Sequence, residues 1–176
     1  MSAANPPSLP PLRFHAVSLA VAAIAGVSTF GATSVMLPPP AMFLGWVAFS
    51  LAGPSLRGGF ANLGSFLMGL VFGLGTALTI TALTPALGGL ATPVAVSGVV
   101  VLVLSLRGLA PFNNPLAYFL GLTSFFYSGL APAQSSFSIL AAAGAIGAAS
   151  AAIAALAERF VHGQGAPKFA AGPAVE

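Results

Sequence analysis

The chain has 176 residues, of which 57% are hydrophobic and only 4% are charged. Seven formal charges cannot keep a soluble globule of this size in solution, so the composition predicts an all-α integral membrane protein with the lipid bilayer as its solvent. The five basic residues stand singly, which excludes a nucleic acid as partner, and the absence of cysteine excludes disulfide and thiolate chemistry.

Six apolar segments follow one another along the chain and predict six transmembrane helices. The segment nearest the start has a signal peptide as its alternative interpretation, which is disfavoured because the run is long and no small-residue cleavage site follows it. The flanking residues 1–13 and 158–176 are predicted to be disordered and cytoplasmic. The predicted spans are residues 14–34, 40–51 (or to 55), 59–83, 94–106 (with a start as early as 86), 115–130 and 136–156.

The basic residues support this count of six. With six spans, all five lie in segments on one side of the membrane, and that side is cytoplasmic by the positive-inside rule. Both termini are then cytoplasmic as well. The five residues are Arg13, Arg57, Arg107, Arg159 and Lys168.

One stretch of sequence occurs twice. Residues 39–53 align without a gap with residues 115–129, and seven of the fifteen positions are identical, including a shared Phe-Leu-Gly. Three spans separate the two copies, so the helices that carry them cross the membrane in opposite directions. The sequence therefore predicts a 3+3 inverted repeat, with residues 14–83 as the first three-helix repeat and residues 84–157 as the second.

Both repeated helices are short and bounded by Pro and Gly, a pairing that marks the substrate path in inverted-repeat membrane proteins. Aromatic rings with a few hydroxyl and amide groups suit a narrow path for small neutral solutes. Alternatively, these aromatics anchor the helices at the interface, face lipid or fill the core. The candidate path residues are Phe43, Gly45, Trp46, Phe49, Asn114, Tyr118, Phe119, Gly121, Thr123, Ser124, Phe125 and Tyr127.

No Asp, Glu, Lys or Arg lies inside a predicted span, which disfavours an ion-coupled transporter or pump. Neither a metal-ligand spacing nor a nucleophile with a base is present, so we expect no enzyme, no metal and no cofactor. Asparagines placed as Asn62, Asn113 and Asn114 are more often helix caps than substrate contacts, and Asn114 stays among the path candidates.

A resemblance adds to this interpretation. The segments 40–46, 50–53, 58–59 and 113–121 resemble the DUF1097 family of small bacterial inner-membrane proteins, over about residues 15–160. The resemblance implies a location in the bacterial cytoplasmic membrane. It implies little about activity and assigns no binding residue.

Two hypotheses of function follow. The first is a channel or facilitator that passes a small neutral solute, such as urea, ammonia or a short amide, by passive diffusion between the repeats. Its partners are the bilayer, the solute and further copies of the chain, since the small residues of the sixth span suit helix packing in a homo-oligomer. The alternative is a structural or accessory subunit of a larger membrane complex, and a small-metabolite transporter is a third possibility.

Overall fold

The computed structural model describes residues 12–53 and 55–163, with side chains described for 14–53 and 55–160. This part of the chain is helical throughout and contains no strand, which confirms the all-α prediction. Its α-helices are α1 (Leu12–Ser34), α2 (Pro39–Ser50), α3 (Leu56–Leu87), α4 (Ala91–Leu106), α5 (Pro115–Ser128) and α6 (Gln134–Gly163). The last helix continues beyond the predicted end at residue 156, and the rest of the predicted tail, 164–176, lies outside the described residues, as do residues 1–11.

Three helical runs are long and apolar enough to cross a membrane: residues 14–34, 56–106 and 134–160. The middle run of 51 residues is more than twice the roughly 20 residues that a helix needs to span the hydrocarbon core. It turns back on itself at a short 3₁₀ turn (Gly88–Leu90), where Gly88 has a φ of 51°. Because Val103 of α4 packs near Phe72 of α3, the two helices form an antiparallel pair.

The two short helices begin in the same way. Pro39 and Pro115 occupy their first positions, where a missing amide donor costs nothing. At 12 and 14 residues, α2 and α5 are about 18 and 21 Å long, shorter than the roughly 30 Å of a hydrocarbon core. Gly129, in the left-handed conformation with a φ of 64°, ends α5.

Each short helix lies mainly on one long helix, α2 on α6 and α5 on α3, and the two also touch each other. Glycines allow the close approach. A methyl group on Gly147 of α6 would fall on the carbonyl oxygen of Met42, and a methyl group on Gly69 of α3 would fall on the carbonyl oxygen of Tyr118. Main chain therefore packs against main chain in both pairs.

These two contacts join residues at matching positions along the chain. Met42 and Tyr118 are equivalent in the repeated stretch, 76 residues apart, and Gly69 and Gly147 are 78 apart. The 78-residue offset also relates seven of the eight buried positions of α3 to seven of the nine in the described part of α6. All fourteen residues of these pairs are buried. In chain order, the residues of α3 are Asn62, Ser65, Phe66, Gly69, Leu70, Gly73 and Thr76, and their counterparts in α6 are Leu140, Ala143, Gly144, Gly147, Ala148, Ala151 and Ala154.

Candidate functional site: two pockets at the ends of the short helices

The aromatic side chains predicted on α2 do not share one surface. Phe43 is 43% exposed on the outside, Trp46 is partly buried, and Phe49 is buried with its ring against Gly59 and edge-on to Phe60. A spacing of three residues advances about 300° around a helix, so each successive ring is rotated by about 60° from the one before. Gly45, also predicted, is buried against the main chain of Gly144.

The predicted residues of α5 divide between its inner and outer faces. Tyr118, Gly121, Ser124 and Phe125 are buried, whereas Tyr127 is 73% exposed. Thr123 is also exposed and Phe119 is partly buried. The ring of Tyr118 stacks on Phe72 at a centroid distance of 5.8 Å, and its hydroxyl donates to the carbonyl oxygen of Phe112 at 3.0 Å.

Asn114, the remaining predicted residue, lies at a pocket of about 410 Å³, which we call the Asn62 pocket. The end of α2, the first turns of α3 and the loop before α5 form its walls. Its lining residues are Leu51, Ala52, Gly58, Ala61, Asn62, Pro111, Asn113, Asn114 and Pro115.

Two asparagine side chains organise the Asn62 pocket. The backbone N–H of Leu116 donates to Asn114 Oδ1 at 3.2 Å, which caps α5. Asn114 Nδ2 in turn donates to Asn62 Oδ1 at 3.1 Å. The expected capping role is thus met by Asn114, but Asn62 lies one and a half turns inside α3 and caps nothing. The feature of the sequence that marks Asn62 is a polar amide side chain within an apolar helix.

A second pocket, of about 460 Å³, lies at the opposite ends of the short helices, and we call it the Ser128 pocket. It is formed where α1 joins α2 and where α5 gives way to α6. Its lining residues are Thr33, Met36, Leu37, Pro38, Ser128, Leu130 and Ile139.

The two pockets occupy equivalent places in the repeated pattern. By the 76-residue offset of the short helices, Ser128 corresponds to Ala52, and Asn114 corresponds to Pro38. By the 78-residue offset of the long helices, Ile139 corresponds to Ala61. Their polar character differs. In the Ser128 pocket, the hydroxyl of Ser128 already donates to the carbonyl oxygen of Phe125 at 2.6 Å and accepts from Leu130 N–H at 3.2 Å.

Small side chains connect the pockets along one face of α5. Asn114, Ala117, Gly121, Ser124 and Ser128 recur at alternating spacings of three and four, which places them on one side of the helix. Ser124 is 2% exposed, and its hydroxyl oxygen is buried without a hydrogen-bond partner. An unpaired buried hydroxyl costs about 1–3 kcal/mol, so this position departs from a core optimised for stability.

The equivalent face of α2 is also lined by small residues but carries no hydroxyl: Pro38, Ala41, Gly45, Ala48 and Ala52. Between the two pockets the core is filled by large side chains that are completely buried. Met42, Phe66, Leu70 and Leu140 all belong to this core. The molecule is therefore closed between its two pockets in this conformation.

A third pocket, of about 480 Å³, lies in the groove between α3 and α4. Its walls are mainly apolar, and its threonine hydroxyls, Thr76 and Thr79, both donate to carbonyl oxygens one turn earlier in α3. Both hydroxyls have used their single donor hydrogen, so these threonines can only accept from a ligand, in contrast to the Asn62 pocket.

Together these features define a small all-helical protein with helices of membrane-spanning length and composition, and with paired pockets at opposite ends of two short helices. The chain belongs to the family described as Protein of unknown function (DUF1097), whose model matches residues 18–157. No curated protein and no solved structure matches the chain.

Proposed function

We propose that the protein is a passive facilitator for a small neutral solute in the bacterial inner membrane, built as six membrane-crossing helices in a 3+3 inverted repeat. The recurring contacts support the repeat: Gly69 against Tyr118 matches Gly147 against Met42. Contact directions agree with it as well. From Gly121 to Phe125 of α5, the contact on α3 moves from Phe66 to Gly73, so these helices run in the same direction.

The equivalent pair runs in the same sense, since Gly45 contacts Gly144 and Phe49 packs with Ala148 and Ala151. Phe49 lies against Gly59 and Ala52 lies against Gly58, so α3 folds back along α2, and α3 and α6 are antiparallel in the proposed arrangement. Phe66 and Gly144 are equivalent residues of these two helices and contact each other, which locates the proposed two-fold axis at their contact.

The observation that carries the proposed function is the pair of pockets at opposite ends of the short helices. The two pockets lie at the two ends of α5, so a solute that enters one has the length of this helix, about 21 Å, to cover to the other. The small-residue faces of α2 and α5 and the unpaired Ser124 hydroxyl lie along that interval. We propose that the path opens when the short helices shift at their main-chain contacts, which lie at Gly45, Gly69, Gly121 and Gly147 and involve no interlocking side chains.

Described charged residues lie only at the ends of the helices: Arg57, Arg107, Glu158 and Arg159, all exposed. The interval between the pockets thus offers no counter-charge to an ion, whose desolvation is costly. Neutral molecules of a few heavy atoms remain the best candidates, with urea, formamide and glycerol as probes.

Stopped-flow light scattering of proteoliposomes tests the proposal. We expect faster re-swelling than in empty liposomes for at least one of the three probes, and none for an impermeant sugar. The variant Ala52→Trp fills the rim of the Asn62 pocket and should return the rate to that of empty liposomes. Val101→Trp, on the exposed face of α4, is the matched control and should keep the wild-type rate. Rates equal to empty liposomes for every probe, with folded protein, would exclude the facilitator.

One observation favours an accessory subunit as the second candidate. Only 6% of the apolar window of α1 is buried within the molecule, so this helix offers a long face to other membrane helices. Size-exclusion chromatography with light scattering in mild detergent separates the two. The facilitator should give a discrete homo-oligomer or monomer, whereas a subunit deprived of its complex should aggregate.

A further inference from the structure

We propose that the Asn62 pocket is a binding site for the carbonyl oxygen of a small neutral amide, with the side-chain amide of Asn62 as its principal donor. This assignment rests on the proposed function, because it names the solute class and the place where that solute is first held. It is carried by an asparagine that is 6% exposed yet lines an open pocket.

The hydrogen bonds fix which end of each asparagine faces which neighbour. Leu116 N–H can only donate, so Asn114 must present Oδ1 to it and turn Nδ2 away. Asn114 Nδ2 then requires an acceptor, which only the oxygen of Asn62 can supply. The chain of two bonds therefore leaves Asn62 Nδ2 as the free end of its side chain.

That free end is a donor without an acceptor inside the described part of the protein. Asn62 Nδ2 makes no hydrogen bond there, and it is not enclosed in the way that the Ser124 hydroxyl is. A primary amide nitrogen carries two N–H donors, and Asn114 Nδ2 retains its second one beside it. The pocket thus presents free donors, while each amide oxygen already accepts one hydrogen bond.

Donors of this kind require an acceptor oxygen on the ligand. The amino terminus of α5 lies at the same pocket, and its partial positive charge also favours an electronegative atom there. No charged residue is among the lining residues, so a carboxylate would lose hydration without gaining a counter-ion. A neutral carbonyl oxygen accepts these hydrogen bonds and needs no counter-ion. Such an oxygen is most polar in an amide or urea.

The site belongs to one end of the molecule only. In the repeated pattern, Leu140 stands where Asn62 is, and Pro38 stands where Asn114 is. Neither of these side chains can donate a hydrogen bond, and the Ser128 hydroxyl is engaged with its own helix end. The Ser128 pocket therefore lacks the donors on which the proposed site depends.

Saturation-transfer NMR on the full chain in lipid nanodiscs, with acetamide as the probe, tests the site. We expect acetamide to bind the wild type, and Asn62→Leu to weaken binding about fivefold or more, in line with the loss of one or two hydrogen bonds. Leucine is the residue at the equivalent position of α6, which makes it a plausible fit. Val101→Ala, on the exposed face of α4 and outside both pockets, is the control and should leave binding unchanged.

Asn114→Ser provides a second variant if Asn62→Leu does not fold. Serine keeps the cap on α5 but is too short to hold Asn62, so acetamide binding should again weaken. Unchanged binding in both variants, or no acetamide binding to the wild type, would overturn the site. Acetate that competes with acetamide at equal concentration would overturn its assignment to a neutral ligand. Binding that depends on Asn62 without any solute flux in liposomes would leave the site standing and remove the facilitator.

Discussion

Gly69 and Gly147 lie where a neighbouring helix presents a main-chain carbonyl, and their lack of a side chain decides how close the helices come. A methyl group at Gly147 would meet Met42 O, and one at Gly69 would meet Tyr118 O. A backbone oxygen cannot move aside as the tip of a side chain can. A methyl group on Gly75, six residues further along α3, would meet no neighbouring atom within 4 Å.

We therefore predict that Gly69→Ala and Gly147→Ala each lower the free energy of unfolding by about 2–3 kcal/mol, the upper part of the range of about 1–3 kcal/mol for overpacking a tight core. Gly75→Ala is the control on the same helix and should leave stability unchanged or raise it by up to about 1 kcal/mol, because alanine is the better helix former. Unfolding by SDS, followed through the fluorescence of Trp46, the single tryptophan, measures all three. Equal stability for Gly69→Ala and Gly75→Ala would contradict the close contact.

At the scale of elements, hydropathy and the Pro and Gly boundaries predicted the helical segments well, because these signals are local. Pro39 and Pro115 begin α2 and α5 as the repeated stretch indicated. The predicted repeat pairs the third span with the sixth but does not say which residues correspond, because the 78-residue offset preserves burial and not identity: Asn62 is matched by Leu140 and Phe66 by Gly144.

The candidate site was only partly predictable for a related reason. Asn114 carried a sequence signal, since it precedes Pro115 at the start of a repeated helix. Its bond to Asn62 joins residues 52 apart in sequence and depends on how α5 lies on α3. Phe43 and Tyr127 were candidates by composition, but their exposure depends on helix rotation, which the apolar sequence around them does not specify.

The contact between Phe66 and Gly144 gives a prediction about the pairing of α3 with α6. A methyl group on Gly144 would overlap the ring of Phe66. Phe66→Ala should cost about 3–5 kcal/mol from the cavity, and Gly144→Ala about 1–3 kcal/mol from overpacking. The double variant should lose at least about 1 kcal/mol less stability than the sum of the two single variants, because alanine at position 66 leaves room for the new methyl group at position 144. Strict additivity in the same SDS titration would show that the two residues do not share this space.

At the scale of the whole molecule, the helix lengths constrain how the chain can cross a bilayer. The 51-residue run from 56 to 106 would be about 77 Å long as one straight helix, far beyond the roughly 30 Å of hydrocarbon. It folds back at Gly88, so its two ends return to the same side if both α3 and α4 cross. The short helices α2 and α5 then decide whether the chain crosses six times or fewer.

Single cysteines test this topology directly, because the chain contains no cysteine of its own. If all six helices cross, Met36→Cys, Gly89→Cys and Ala131→Cys should react with a membrane-impermeant maleimide added outside spheroplasts. Ser55→Cys and Ala110→Cys, in the turns next to Arg57 and Arg107, should react only after permeabilisation, since basic turns stay cytoplasmic. Labelling of Met36→Cys and Ser55→Cys from the same side would mean that α2 does not cross. The inverted repeat, and the solute path between its halves, would then be wrong together.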